Sequence, residues 1–109
     1  MIRVTAYKDK TNGSYKGFKV LGHSDYSEEG SDIICAGVSA VVINTVNSLE
    51  VLSQDPFTQE TDKEQGLIDI KFKSELSEGG KLLMDSMMMG LESIAEGSQE
   101  NVKVSYREV

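Results

Sequence analysis

His23 and Cys35 are the only histidine and the only cysteine in the 109 residues, twelve positions apart. A base and a thiol are the minimum equipment for cysteine-based acyl transfer, and no other pair in this chain supplies it. Both belong to one stretch: Gly22-His23-Ser24, a segment from Asp25 to Ser31 rich in turn formers, then Asp32-Ile33-Ile34-Cys35-Ala36-Gly37-Val38-Ser39. The pattern puts Cys35 in the first turn of a helix, where free amides and the helix dipole favour the thiolate, the reactive form of the side chain. A histidine beside it takes the thiol proton and later protonates the leaving amine, the two transfers that peptide hydrolysis requires. A lone cysteine is also a common small core residue, and a histidine at a strand end is commonly a surface residue, so the spacing leaves both readings open.

The elements that must hold this stretch are legible from periodicity. Ile2, Val4 and Ala6 alternate with Arg3, Thr5 and Tyr7, as in a strand with one buried face. After the turn signal Asn12-Gly13, Tyr15 to Leu21 resumes the alternation with Phe18 and Val20 inward, forming a hairpin that ends at Gly22-His23. The segment from Asp25 to Ser31 reads as an exposed loop. Ser31 or Asp32 then suits a helix cap, and Val38, Val41, Val42, Thr45, Val46, Leu49 and Leu52 mark one apolar stripe, predicting a helix from about Ile34 to Ser53. Asp55-Pro56 ends it. A second hairpin follows, with Phe57 to Thr61, a turn over Asp62 to Gly66, and Ile68, Ile70 and Phe72 on one face of its second strand. Ser77 and Glu78 suit the start of a second helix carrying Leu83, Met87, Leu91 and Ile94, with Gly97 as its stop. Met84, Met87, Met88 and Met89 read as adaptable core. Val102, Val104 and Tyr106 form the last strand. The expected fold is one α+β domain over residues 1–109, a largely antiparallel β-sheet with two α-helices packed on one face, in the order β-β-α-β-β-α-β.

Composition narrows the function. Eighteen acidic residues against eleven basic ones give −7, which argues against a broad phosphate footprint, so no direct nucleic-acid partner is expected. One cysteine cannot form an internal disulfide. The start Met1-Ile2-Arg3-Val4 lacks the apolar core of a signal peptide, and the purely apolar runs are short, so a cytoplasmic protein without a membrane span is expected. One His and one Cys do not complete a structural zinc site, no Cys-x-x-Cys pair is present, and phosphate-binding glycine fingerprints are missing. No metal or cofactor is expected.

The whole stretch, Gly22-His23-Ser24, the acidic glycine-containing loop, and Asp32 to Ser39 with its Asp-x-x-Cys-Ala-Gly-x-Ser run, resembles the signature of the bacterial ribosomal-processing cysteine proteases, the Prp family. The resemblance covers the full length and shows no departure at the motif positions. It implies a cysteine endopeptidase that removes the N-terminal extension of a large-subunit ribosomal protein, number twenty-seven, at an aromatic pair followed by a small residue. It implies Cys35 as nucleophile and His23 as general base. Gly22, Ala36, Asp32 and Ser39 match further motif positions suited to supporting the site or touching substrate. The family also implies a homodimer, with the loop between His23 and Cys35 moving as a lid on substrate binding. Asp25, Glu28, Glu29 and Gly30 belong to that loop, with Gly30 as a hinge. Asp32 has two competing roles, helix cap or orienter of His23, and Asp25 is a second candidate orienter. The amides of Cys35 and Ala36 are candidate oxyanion donors. The contrasting reading is a non-enzymatic ribosome-associated binding or assembly factor in which His23 and Cys35 are incidental.

Overall fold

The alternating strands and the two apolar helices meet in one core in the computed structural model, which describes residues 1–23 and 29–109, with backbone alone for 29–32. In chain order the elements are β1 (Ile2–Lys8), β2 (Tyr15–Leu21), α1 (Glu29–Ser48), a π-helical turn (Leu49–Ser53), β3 (Phe57–Asp62), β4 (Leu67–Phe72), α2 (Glu78–Gly97) and β5 (Val102–Glu108). The expected β-β-α-β-β-α-β order holds. The strands form one sheet in the spatial order β3-β4-β2-β1-β5. Three pairings are antiparallel, and β1 with β5 is parallel, Ile2 facing Val102. Ile2, Val4, Phe18, Val20 and Ile70 from the sheet share a single buried cluster with Val42 and Leu49 before β3 and with Met84, Met87 and Leu91 of α2. Both helices therefore cover the same face, and β1 and β2 run through its centre.

Three local expectations are corrected. Helix α1 begins at Glu29, ahead of the expected Ile34. Asp32 and Ser31 are therefore helical residues rather than caps, and Glu29 and Gly30 belong to the helix rather than to a loop. Cap-type residues had suggested a start near 31, but the acidic residues at 29 and 32 also suit the first turn, where the dipole favours negative charge. The stripe of α1 is buried as far as Leu49, whereas Leu52 is 76% exposed. The wider π turn, in which the Ser53 hydroxyl donates to the Leu49 carbonyl at 2.9 Å, rotates Leu52 off the core side. Met84, Met87 and Met88 are core as read, but Met89 is exposed because it lies on the opposite side of α2. Residues Ile33–Ser53 are also long and apolar enough by length and composition to cross a membrane, a test that the core helix of a soluble protein passes as well. Val38, Val42, Val46 and Leu49 of that segment are core, while only 28% of its apolar window is buried.

The start of α2 is tied to the end of the preceding helix. Ser77 caps it by accepting from the Gly80 amide at 3.1 Å, as expected. Asp55 in turn accepts from the Ser77 amide at 3.0 Å and from its hydroxyl at 2.8 Å. Burial alone would raise the Asp55 carboxyl, but the bonds from Ser77 and from the Ser53 hydroxyl outweigh it and hold the group below its ordinary value. Because the folded value lies below the unfolded one, this contribution to stability is complete above a pH of about 4 and is lost as pH falls through the folded value. Asp55→Ala is expected to lower unfolding free energy by about 1 kcal/mol at neutral pH. Urea titrations at several pH values should show that difference shrinking in acid, and a difference independent of pH would refute the assignment.

Candidate active site

Strand β2 ends at Leu21, and the chain leaving it delivers His23. Gly22 makes the exit possible: its φ is +106°, and a Cβ there would stand 2.2 Å from the Met1 carbonyl oxygen. Its amide donates to the Gln65 and Gly66 carbonyls, both at 3.2 Å, which fastens the exit to the turn between β3 and β4. The α-amino group of Met1 donates to the His23 carbonyl at 2.9 Å. The histidine backbone is thus held from two sides.

The ring is held by the same turn. His23 Nε2 lies 3.1 Å from the Glu64 carbonyl oxygen. A carbonyl only accepts, so this bond assigns the proton to Nε2 and leaves Nδ1 as the basic nitrogen of the neutral ring. The turn is itself braced: Asp62 Oδ1 accepts from the amides of Glu64 at 2.9 Å and Gln65 at 3.4 Å, and the Gln65 side chain donates to Asp62 Oδ2 at 3.1 Å. Gly66 completes it with φ +64°, and a Cβ there would come within 2.9 Å of His23 Cε1 and 2.6 Å of the Gly22 carbonyl oxygen. Among the described residues, the group that holds the imidazole is thus a backbone carbonyl. Residue types carry no signal for it, and the turn read only as a hairpin connection.

Cys35 comes from the other side. Valines at 38 and 42 seat α1 on the sheet, and this leaves Cys35 half-buried at the margin of the core. His23 and Cys35 line the same cleft, of about 400 Å³. Gly22 and Ser39 also line it, Ser39 being one helical turn after Cys35 on the same side of α1. Ile2, Val42, Ile43 and Leu67 supply apolar wall, and Gln59 and Thr61 of β3 a polar one. An open, largely apolar cleft with a thiol and an imidazole at its walls suits an extended peptide with bulky apolar side chains.

Other expected site residues fall differently. Ala36 is exposed and is not part of the cleft wall. Cys35 is the seventh residue of α1, in its second turn, so its amide and that of Ala36 are committed to the helical ladder and are not free oxyanion donors. The first-turn argument for the thiolate loses its basis for the same reason. Asp25 and Glu28 lie outside the described residues, as do the side chains of Glu29 and Asp32. Among the described residues no group of three or more His, Cys, Asp or Glu side chains is placed to hold a metal ion.

Known proteins are similar to this chain in sequence and fold. A family model described as cysteine protease Prp matches residues 1–103. The ribosomal processing cysteine protease Prp of Staphylococcus aureus is 31% identical over 86 residues, 79% of this chain and 81% of that protein. The Bacillus subtilis protein of the same name is 29% identical over 109 residues, 96% of each chain. A crystal structure of the S. aureus Prp, described as an essential ribosomal processing protease with a covalently linked product peptide, superposes with a TM-score of 0.88 at 29% identity, covering 98% of this chain and 100% of that one. A match over nearly the full length, in sequence and in fold, decides between the protease and the non-enzymatic factor: the chain belongs to the Prp family and is a cysteine protease.

Proposed function

We propose that Cys35 and His23 form the catalytic dyad and that the substrate is the N-terminal extension of a large-subunit ribosomal protein, number twenty-seven. The observation that carries the dyad is that the chain's only thiol and only imidazole line one cleft from different elements. Cys35 Sγ attacks the scissile carbonyl carbon while its proton passes to His23 Nδ1. His23 then protonates the leaving amine as the C–N bond breaks, releasing the mature protein and leaving the extension as a thioester on Cys35. Water attacks the thioester carbon, gives a proton to His23, and the C–S bond breaks to free the extension and restore the thiol. The Glu64 carbonyl keeps the ring in the tautomer whose Nδ1 accepts. Ser39 adds a hydroxyl on the cleft wall for substrate contact.

The ribosomal substrate is supported by the names of the relatives and by the product peptide bound to the S. aureus protein. The apolar walls suit the aromatic pair before the cleavage point. The enzyme acts as a homodimer in the cytoplasm, and the exposed apolar side chains of Ile33, Val51 and Leu52, outside the cleft, support pairing. The test is mass spectrometry of a peptide spanning the extension and mature start, incubated with wild type and His23→Ala. One cut after the aromatic pair, slowed by about a hundredfold to ten-thousandfold in the variant, is expected. Cleavage at unrelated bonds would overturn the substrate, and full activity of His23→Ala would overturn the dyad.

A further inference from the structure

The helices cover one face of the sheet, and strand alternation assigns the side chains of the other. Arg3 and Tyr7 of β1, Lys19 of β2, Lys71 of β4, and Lys103 and Arg107 of β5 all stand on this open face, opposite the buried Val4, Phe18, Ile70 and Val102. The register groups them. Arg3 is paired with Lys103 and Tyr7 with Arg107, Lys19 stands between Thr5 and Asp69, and Gly17 separates Tyr7 from Lys71. The row from Lys71 to Arg107 spans three strand spacings, about 14 Å.

This face holds five of the eleven basic residues of a chain that has eighteen acidic ones. On β1, β2, β4 and β5 its one carboxylate is Asp69, and Glu60 and Asp62 are confined to the edge strand β3. Among the described residues none of the five cations makes an ion pair. A chain with net charge −7 has no need of clustered cations for solubility, and neighbouring like charges across strands are unfavourable in isolation. A polyanion removes that repulsion. The net charge excludes a footprint over the whole molecule, not one confined to this face.

We propose that the open face of the sheet binds single-stranded RNA, with Arg3, Lys19, Lys71, Lys103 and Arg107 on phosphates and Tyr7 stacked on a base. The aromatic ring decides the class. A row with one ring, cations at both ends and no side chain at Gly17 matches the way sheet surfaces take unpaired bases, whereas a duplex, its bases already stacked, offers the ring no partner. The face lies opposite the helices, so RNA there leaves α1 and Cys35 accessible.

The test is fluorescence anisotropy of a labelled mixed-sequence single-stranded RNA, titrated with the full chain from about 50 to 200 mM salt, the range in which phosphate contacts show their salt dependence. Four or five phosphate contacts predict a slope of log K against log salt near about −3, and Lys103→Gln with Arg107→Gln should bring it about 1.4 closer to zero. Tyr7→Ala should weaken binding about fivefold to a hundredfold with the slope unchanged, and Tyr7→Phe should restore it. Cleavage of the junction peptide should be unaffected by all of these variants, and thermal melting checks their folding. Absence of RNA binding at 50 mM salt, or RNA binding insensitive to these substitutions, overturns the proposal. Equal affinity for heparin with no effect of Tyr7→Ala overturns the stacking and the RNA, leaving a general polyanion site. Binding to anionic vesicles without binding to RNA overturns it in favour of a membrane surface.

Discussion

Cys35→Ser is expected to leave the fold within about 1 kcal/mol of wild type and to lower peptide turnover by at least about a thousandfold. The substitution exchanges one half-buried atom for a slightly smaller one at the margin of the core, so packing changes little. Chemistry changes much more. A hydroxyl is a far weaker nucleophile than a thiolate, and a histidine held by one carbonyl bond to Glu64 offers no stronger base to compensate. Initial rates on the junction peptide, with thermal melting of the same samples, separate the two effects. A serine enzyme retaining a tenth of wild-type turnover would mean that the nucleophile is elsewhere.

The second large effect is on stability. Phe18 is fully buried at the centre of the sheet, paired with Ala6 on β1 and Ile70 on β4. Phe18→Ala removes an aromatic ring from a position with no solvent path to fill the gap, and is expected to cost about 3–5 kcal/mol. For a domain whose whole stability is about 5–15 kcal/mol, that is a large share, and the melting temperature should fall by at least about 10 °C. The site should suffer with it, because β2 runs from Phe18 directly into Gly22 and His23. Urea denaturation of the two proteins measures the difference. A loss below about 1 kcal/mol would mean that neighbouring side chains collapse into the space.

The alternation at Ile2, Val4 and Ala6 and at Phe18 and Val20 was enough to place β1 and β2, because a half-buried strand imposes its period on the residue types. Ser77 likewise announced the start of α2 through a bond that only a cap-type side chain makes. Features set by distant contacts were not legible. The parallel pairing of β1 with β5 joins the two ends of the chain and leaves no local mark. The π turn at Leu49 breaks the helical period just where the stripe ends, so Leu52 satisfied the spacing without reaching the core. Ser31 and Asp32 suited a cap by type, yet the helix had begun at Glu29, and Cys35 moved from the first turn to the second. At the site, unique residue types exposed His23 and Cys35 at once. The Glu64 carbonyl stayed hidden because every residue has one, and only the turn braced by Asp62 and closed at Gly66 aims this one at the ring.

The proposal that Cys35 carries the acyl group is tested most directly by intact-protein mass spectrometry of enzyme quenched in acid during turnover of the junction peptide. A species heavier by the acyl form of the extension, mapped to Cys35 and absent from Cys35→Ala, is the expected result. An adduct on another residue, or full cleavage by Cys35→Ala, would contradict the mechanism.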